Sequence, residues 1–227
     1  MSAAHRRPRH DQHSWVVALA CSLMLTASSS QAGIFRDVMD KMGMSGPTPK
    51  TDAKGAPLVF PREGFSCCVL HYDGNKINDR NYASLPMIPA GTPVEVIGYD
   101  GSTAKVKIDG KAMVLDHNWG RDQESLDVWV NKVVVNEDPR PRIADYPPEV
   151  QEAIRLGKVM VGMSREEAIS AIGYPVANEN ITLDSPIWQL RRARGDEYQL
   201  NFDRNGRIES VSGDDSVTEL MIYRSKK

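Results

Sequence analysis

Gly162-Met163-Ser164-Arg165-Glu166-Glu167-Ala168, followed by Ile172-Gly173-Tyr174-Pro175, decides how the second half of this chain folds. Ser164 and Glu167, three residues apart, form a capping box, in which each side chain takes the other residue's backbone N–H. A helix therefore starts at Ser164. Ala168, Ile169 and Ile172 form its buried face, Gly173 supplies a left-handed C-cap, and Pro175 forbids continuation. Strand alternation then turns Trp188 and Leu190 inward, followed by Tyr198, Leu200 and Phe202. Asn205-Gly206 marks a hairpin turn. Ser216 to Tyr223 is expected as the last strand.

Working upstream, Pro147-Pro148-Glu149 is a good helix start, and Val150, Ala153 and Ile154 make one apolar stripe that ends at Gly157. Two helices on one face of a three-stranded antiparallel sheet bury both apolar surfaces, so 147–227 reads as an α+β domain. Asp138-Pro139-Arg140-Pro141-Arg142 precedes it as a proline-stiffened connector, 138–146.

Residues 63–137 carry a different rhythm. Asp73-Gly74, Asp100-Gly101 and Asp109-Gly110 each accept the positive φ angles of tight hairpins. In Ala104-Lys105-Val106-Lys107-Ile108 the apolar residues face inward and the lysines face water. A small antiparallel β-barrel is expected, closed by Leu126 to Val135 as a helix or as a last strand. The entry phrase Ile88-Pro89-Ala90-Gly91-Thr92-Pro93-Val94 and the short strands resemble bacterial Src-homology-3-like barrels.

The resemblance in the C-terminal half is more specific. Gly162, Met163, Ser164, Glu167, Gly173, Pro175, Trp188 and Phe202 fall in the order of the SmpA/OmlA, or BamE-like, domain. That resemblance implies two helices on a three-stranded antiparallel sheet and a docking role. The best-known members are small outer-membrane lipoproteins that support assembly of β-barrel proteins, and a structural relative inhibits a β-lactamase. Three features depart from the family: the weak lipid-attachment context of Cys21, the N-terminal barrel, and Gln189-Leu190 after Trp188 in place of a nearby aromatic. The motif residues themselves read as caps and core.

The first 32 residues carry the three-part pattern of a secretory signal: Arg6, Arg7 and Arg9, an apolar run from Trp15 to Thr26, and Ser30-Gln31-Ala32. The run is too short for a membrane span. Cleavage would remove three Arg and one Asp, shifting the formal charge from −2 to −4. Export to the periplasm, with association to the outer membrane, is expected. Cys21 sits inside the apolar run, so the favoured reading discards it with the signal over lipidation. Residues 33–62 read as linker, with Ile34 to Met42 as either a short amphipathic helix or a tether.

Cys67 and Cys68 are adjacent, which suits packed thiols or an adjacent-residue disulfide better than a metal site, although His71 and His117 make zinc imaginable. Intermolecular pairing is the third alternative. No Gly-x-Ser-x-Gly elbow, phosphate loop or His-Glu-x-x-His pair is present, and Lys and Arg form no basic stripe for nucleic acid. Asp73 and Asp79 near His71 mimic an acid–base group, but the turn explains Asp73. In Asp116-His117-Asn118-Trp119-Gly120, Trp119 is expected as the apolar plug of a turn, with peptide or glycan binding as the alternative. The expected function is a non-enzymatic envelope adaptor, without cofactor or metal, that binds other envelope proteins such as β-barrel assembly components. The rival reading is a protein that binds peptidoglycan through its barrel, or an inhibitor of a periplasmic enzyme.

Overall fold

A computed structural model of the chain describes residues 51, 54–180 and 182–225. The signal segment with Cys21 and the Ile34–Met42 stretch lie outside these residues.

The first lobe is built on nested hairpins. It contains β1 (Arg62–Ser66), β2 (Leu70–His71), β3 (Lys76–Asn78), β4 (Met87–Ile88), β5 (Pro93–Asp100), β6 (Thr103–Ile108) and β7 (Lys111–Asp116), then helix α1 (Leu126–Val133) and β8 (Val134–Val135). Six strands form one curled sheet in the order β3-β7-β6-β5-β1-β8, while β2 and β4 pair separately. Asp109 and Gly110 both take positive φ, at 47° and 75°, which matches the twist a two-residue hairpin needs between β6 and β7. Along β6, Ala104, Val106 and Ile108 are buried and Lys105 and Lys107 exposed. They join Ile77, Val94, Val96, Leu115, Trp129 and Val130 in one core.

Two expectations for this lobe are corrected. The sheet is not wholly antiparallel, because β3 runs parallel to β7. Asp73-Gly74 does make a tight turn, closed by reciprocal bonds between Asp73 and Lys76, but its flanking strands β2 and β3 enter different sheets. The choice between helix and strand for 126–135 resolves into both: the amphipathic stretch to Val133 is α1, and the β-branched Val134–Val135 pairs with β1.

The second lobe holds helices α2 (Arg140–Ala144), α3 (Pro148–Arg155) and α4 (Arg165–Ile172), strands β9 (Ile187–Ala193), β10 (Asp196–Phe202) and β11 (Ile208–Gly213), and helix α5 (Asp215–Met221). The sheet order is β11-β10-β9, antiparallel throughout. The capping box forms, with Ser164 Oγ accepting the Glu167 N–H at 3.2 Å and Glu167 Oε2 accepting the Ser164 N–H at 2.6 Å. Trp188, Leu200, Tyr198 and Phe202 pack under Val150, Ala153, Ile154, Ala168 and Ile172. Trp188 meets Phe202 edge-on, with ring centroids 4.7 Å apart.

The expected last strand over Ser216 to Tyr223 is wrong: most of it is α5. Asp214 caps that helix by accepting the Ser216 N–H at 2.8 Å, and Val217 and Met221, one turn apart, are buried. The third strand is β11 instead. Residues 140–144 of the expected connector are helical, and Pro139 just before them is buried.

Candidate functional site

From residue 54 on, the described residues form one compact unit, so the two lobes share a joint. Its centre is Ser66-Cys67-Cys68-Val69. This segment leaves β1 and bends before β2, so the alternation of an extended strand does not hold the two sulfurs apart. Cys67 and Cys68 are joined by a disulfide. On the first-lobe side, the Cys67 N–H donates to Val133 C=O at 3.0 Å. On the second-lobe side, the Val69 N–H donates to Ser170 C=O, inside α4, at 3.1 Å.

Asn81 completes the joint. Its side-chain amide donates to Val69 C=O at 3.0 Å and to Ile172 C=O at 2.8 Å, while its side-chain oxygen accepts the His71 N–H at 2.7 Å. Asn81 sits at φ 46°, a conformation Asn tolerates better than most residues. Gly173, the helix C-cap, lies against it at φ 80° and ψ −179°, an extended positive-φ conformation in place of the expected left-handed helical one; a Cβ there would come within 2.5 Å of Asn81 Nδ2. Sequence reading missed Asn81. Its only visible signal is the turn-rich run Asn78-Asp79-Arg80-Asn81, which does not announce burial.

A second polar device sits beside the joint. Asp79 is partnered by His117, not by His71: His117 Nδ1 lies 2.9 Å from Asp79 Oδ2 and Nε2 lies 2.9 Å from Glu124 C=O. Both partners are acceptors when Asp79 is ionised, so the geometry favours an imidazole protonated at both nitrogens. Burial acts to lower its pKa, but the bonds to Asp79 and Glu124 and the nearby carboxylates outweigh it and hold the pKa above 6.5. The ring stacks on Trp129 at 5.0 Å. Asp79 Oδ2 also accepts the N–H groups of Trp119 and Gly120, which fixes the loop after β7. Trp119 is therefore not the plug of that turn. It is 40% exposed, with the Arg80 guanidinium 3.6 Å over its ring, and His117 takes the buried place. Arg80 in turn pairs with Glu179 at 2.8 Å, and Arg191 meets the same carboxylate at 3.1 Å.

His71 is buried, which favours its neutral form. Burial pushes its pKa below 6.5, against the opposing effect of its 2.9 Å bond from Nδ1 to Leu85 C=O. Cys67, Cys68, His71 and His117 do not come together as a metal site. The sulfurs bond each other, His117 is used at both nitrogens, and among the described residues no three metal-ligating side chains converge.

The joint opens to solvent as a cleft of about 660 Å³ between the lobes. Cys67, Val135, Pro139, Ile169, Tyr174 and Leu183 line it, and its charged lining residues are Glu137, Asp138, Glu166, Asp184, Arg142 and Arg165. Arg142 pairs with Glu166 at 2.7 Å, and Asp138 pairs with Arg140. Arg165 is held over Phe202 at 4.4 Å and donates to Asp184 and Ser185 carbonyls. Glu137 and Asp184 have no counter-ion among the described residues.

Among the motif residues, Met163, Glu167, Gly173, Pro175, Trp188 and Phe202 are buried, and Ser164 caps α4. Gly162, exposed and at φ 92°, donates its N–H to Ile208 C=O at 2.8 Å and so ties the start of α4 to β11. The outer edge of β9 is already occupied, because the Asn180 side chain bonds both the N–H and the C=O of Gln189. A partner strand could pair with Gln189 only by displacing Asn180.

No family model, curated protein or solved structure matches this chain.

Proposed function

We propose that this chain is an exported, non-enzymatic envelope adaptor that holds a polypeptide segment of a partner protein in the cleft between its lobes. The observation that carries the reading is that cleft: an apolar floor drawn from both lobes under a rim of charges. A floor of that kind buries side chains of an extended segment, and a mixed rim orients it. Glu137 and Asp184 favour a segment that presents a basic residue. Binding suits the site better than catalysis, because His117 has both nitrogens engaged and His71 is buried. The resemblance of 162–202 to SmpA/OmlA domains and the signal-like N-terminus support an envelope setting, with β-barrel assembly components as the first partners to examine. The α+β fold, with helices over a three-stranded antiparallel sheet, is compatible with that family.

The test is site-directed photo-crosslinking in cells, with the reactive residue at Glu137 in the cleft or at Ser210 on exposed β11. A discrete adduct with an envelope protein from Glu137 only is the expected result. Equal adducts from both positions, or none from Glu137, overturns it.

A second reading rests on a groove of about 690 Å³ formed mainly by the first lobe, lined in part by Tyr72, Met87, Pro89, Pro93 and Met113, with Arg140 of α2 beside them. Aromatic and apolar residues beside a guanidinium suit a cell-wall ligand. Pelleting of the protein with purified sacculi, abolished by Met87→Asp, would favour peptidoglycan binding over the adaptor reading.

A further inference from the structure

Nothing in the adaptor reading uses the Cys67–Cys68 disulfide, yet it occupies the most consequential few residues of the joint. Both halves are buried, but Cys67, 5% exposed, lines the cleft, while Cys68 is fully enclosed. The backbone on one side of the pair is tied to the first lobe through Val133. On the other side, Val69 is gripped by the second lobe at its N–H by Ser170, and its C=O is bonded by Asn81, which also holds Ile172. The covalent link therefore lies between two opposing backbone anchors that are two residues apart.

We propose that Cys67–Cys68 is a reducible redox site entered from the cleft, whose opening loosens the second lobe's grip on Val69. A dithiol is the co-reactant. One of its thiolates attacks Sγ of Cys67, the cysteine that lines the cleft, and the Cys67–Cys68 bond breaks with Cys68 leaving as thiolate. The reductant's second thiolate then attacks its own sulfur in the mixed disulfide and releases Cys67. Two electrons pass to the pair, the reductant becomes a disulfide, and its two protons end on Cys67 and Cys68. With the link gone, rotations between residues 67 and 68 that the ring forbids become available, and the register between the Val133 and Ser170 anchors is no longer fixed. The consequence is regulation of the cleft, and it rests on the adaptor reading. The redox site itself does not.

The experiment uses the full chain carrying Cys21→Ser, so that every thiol counted belongs to the pair. Under native conditions dithiothreitol followed by iodoacetamide is expected to add two labels. In the single variants, Cys67 left free by Cys68→Ser should be alkylated at least about tenfold faster than Cys68 left free by Cys67→Ser, because accessibility governs the rate. Amide exchange at Val69, read by NMR, should accelerate on reduction. Labelling only after denaturant, the reverse order of the two cysteines, or an unchanged Val69 amide overturns the proposal. None of these measurements needs a partner, so a chain that captures no envelope protein can still support or overturn the redox site.

Discussion

The side-chain amide of Asn81, from the first lobe, donates to the main-chain carbonyl of Ile172 at the end of α4, 2.8 Å away. That carbonyl belongs to the last turn of the helix, where no intrahelical partner exists, so a side chain from another lobe does the work of a C-cap. The same amide serves Val69, and its oxygen serves His71. All of these groups are buried, and removing Asn81 leaves two carbonyls and an N–H without partners. Asn81→Ala is expected to cost on the order of 3 kcal/mol, since each orphaned buried group costs about 1–3 kcal/mol before relaxation. Urea unfolding followed by tryptophan fluorescence measures it; a loss below about 1 kcal/mol would show that water replaces the amide.

Gly173 is coupled to that contact. A Cβ at this position meets Asn81 Nδ2 at 2.5 Å, and the residue stands at φ 80°, which L side chains rarely adopt. With ψ at −179° the residue lies in a region open essentially to glycine alone, so Gly173→Ala carries a backbone penalty of about 1–3 kcal/mol plus the displacement of Asn81. In the Asn81→Ala background only the backbone part should remain. A double-mutant cycle is expected to return a coupling of at least about 1 kcal/mol between the two sites. Strict additivity would place the strain elsewhere.

The two buried histidines make opposite predictions for pH. For His117 the folded pKa lies above 6.5, so its contribution is fully present below that value and fades as pH rises through the folded pKa. For His71 the folded pKa lies below 6.5, so no proton-linked penalty applies above that value, and stability is lost as pH falls through the folded pKa. His117→Gln should thus lose most stability relative to wild type at acid pH and converge on it at alkaline pH. His71→Gln should remove part of the acid-side decline. Denaturant midpoints of the three proteins across pH check both signs; parallel curves would mean that neither ring changes charge state on unfolding.

Much of the second lobe was legible because its signals are local. The Ser164 and Glu167 box, the Gly173 cap and the alternation through Trp188, Tyr198, Leu200 and Phe202 depend on residues within a few positions of each other. The misassignment of 216–223 has a local cause too. Val217, Leu220, Met221, Ile222 and Tyr223 satisfy an apolar strand as readily as a helix, and the Asp214 cap decided for the helix. The joint was not legible. Asn81 meets Ile172 across 91 positions, and His117 meets Asp79 across 38. No periodicity encodes such pairs: the first exists only once the lobes are docked, the second only once β3 lies beside β7. The exposure of Trp119 was hidden for the same reason, since the buried site in its loop was taken by a histidine with a carboxylate partner.

Trp188 links the core of the second lobe to the cleft. Its ring is fully buried against Phe202, and its indole N–H donates to the carbonyl of Leu183, a residue of the cleft wall, at 3.1 Å. Trp188→Ala removes the ring and opens a cavity, which should cost about 3–5 kcal/mol. Trp188→Phe restores most of the volume but leaves Leu183 without its donor, so its expected cost is nearer 1–2 kcal/mol. The two variants separate packing from positioning. If the indole bond holds the cleft wall in place, Trp188→Phe should cut photo-crosslinking from Glu137 out of proportion to its stability loss. A Trp188→Phe protein that is folded and crosslinks at the wild-type yield would restrict Trp188 to the core.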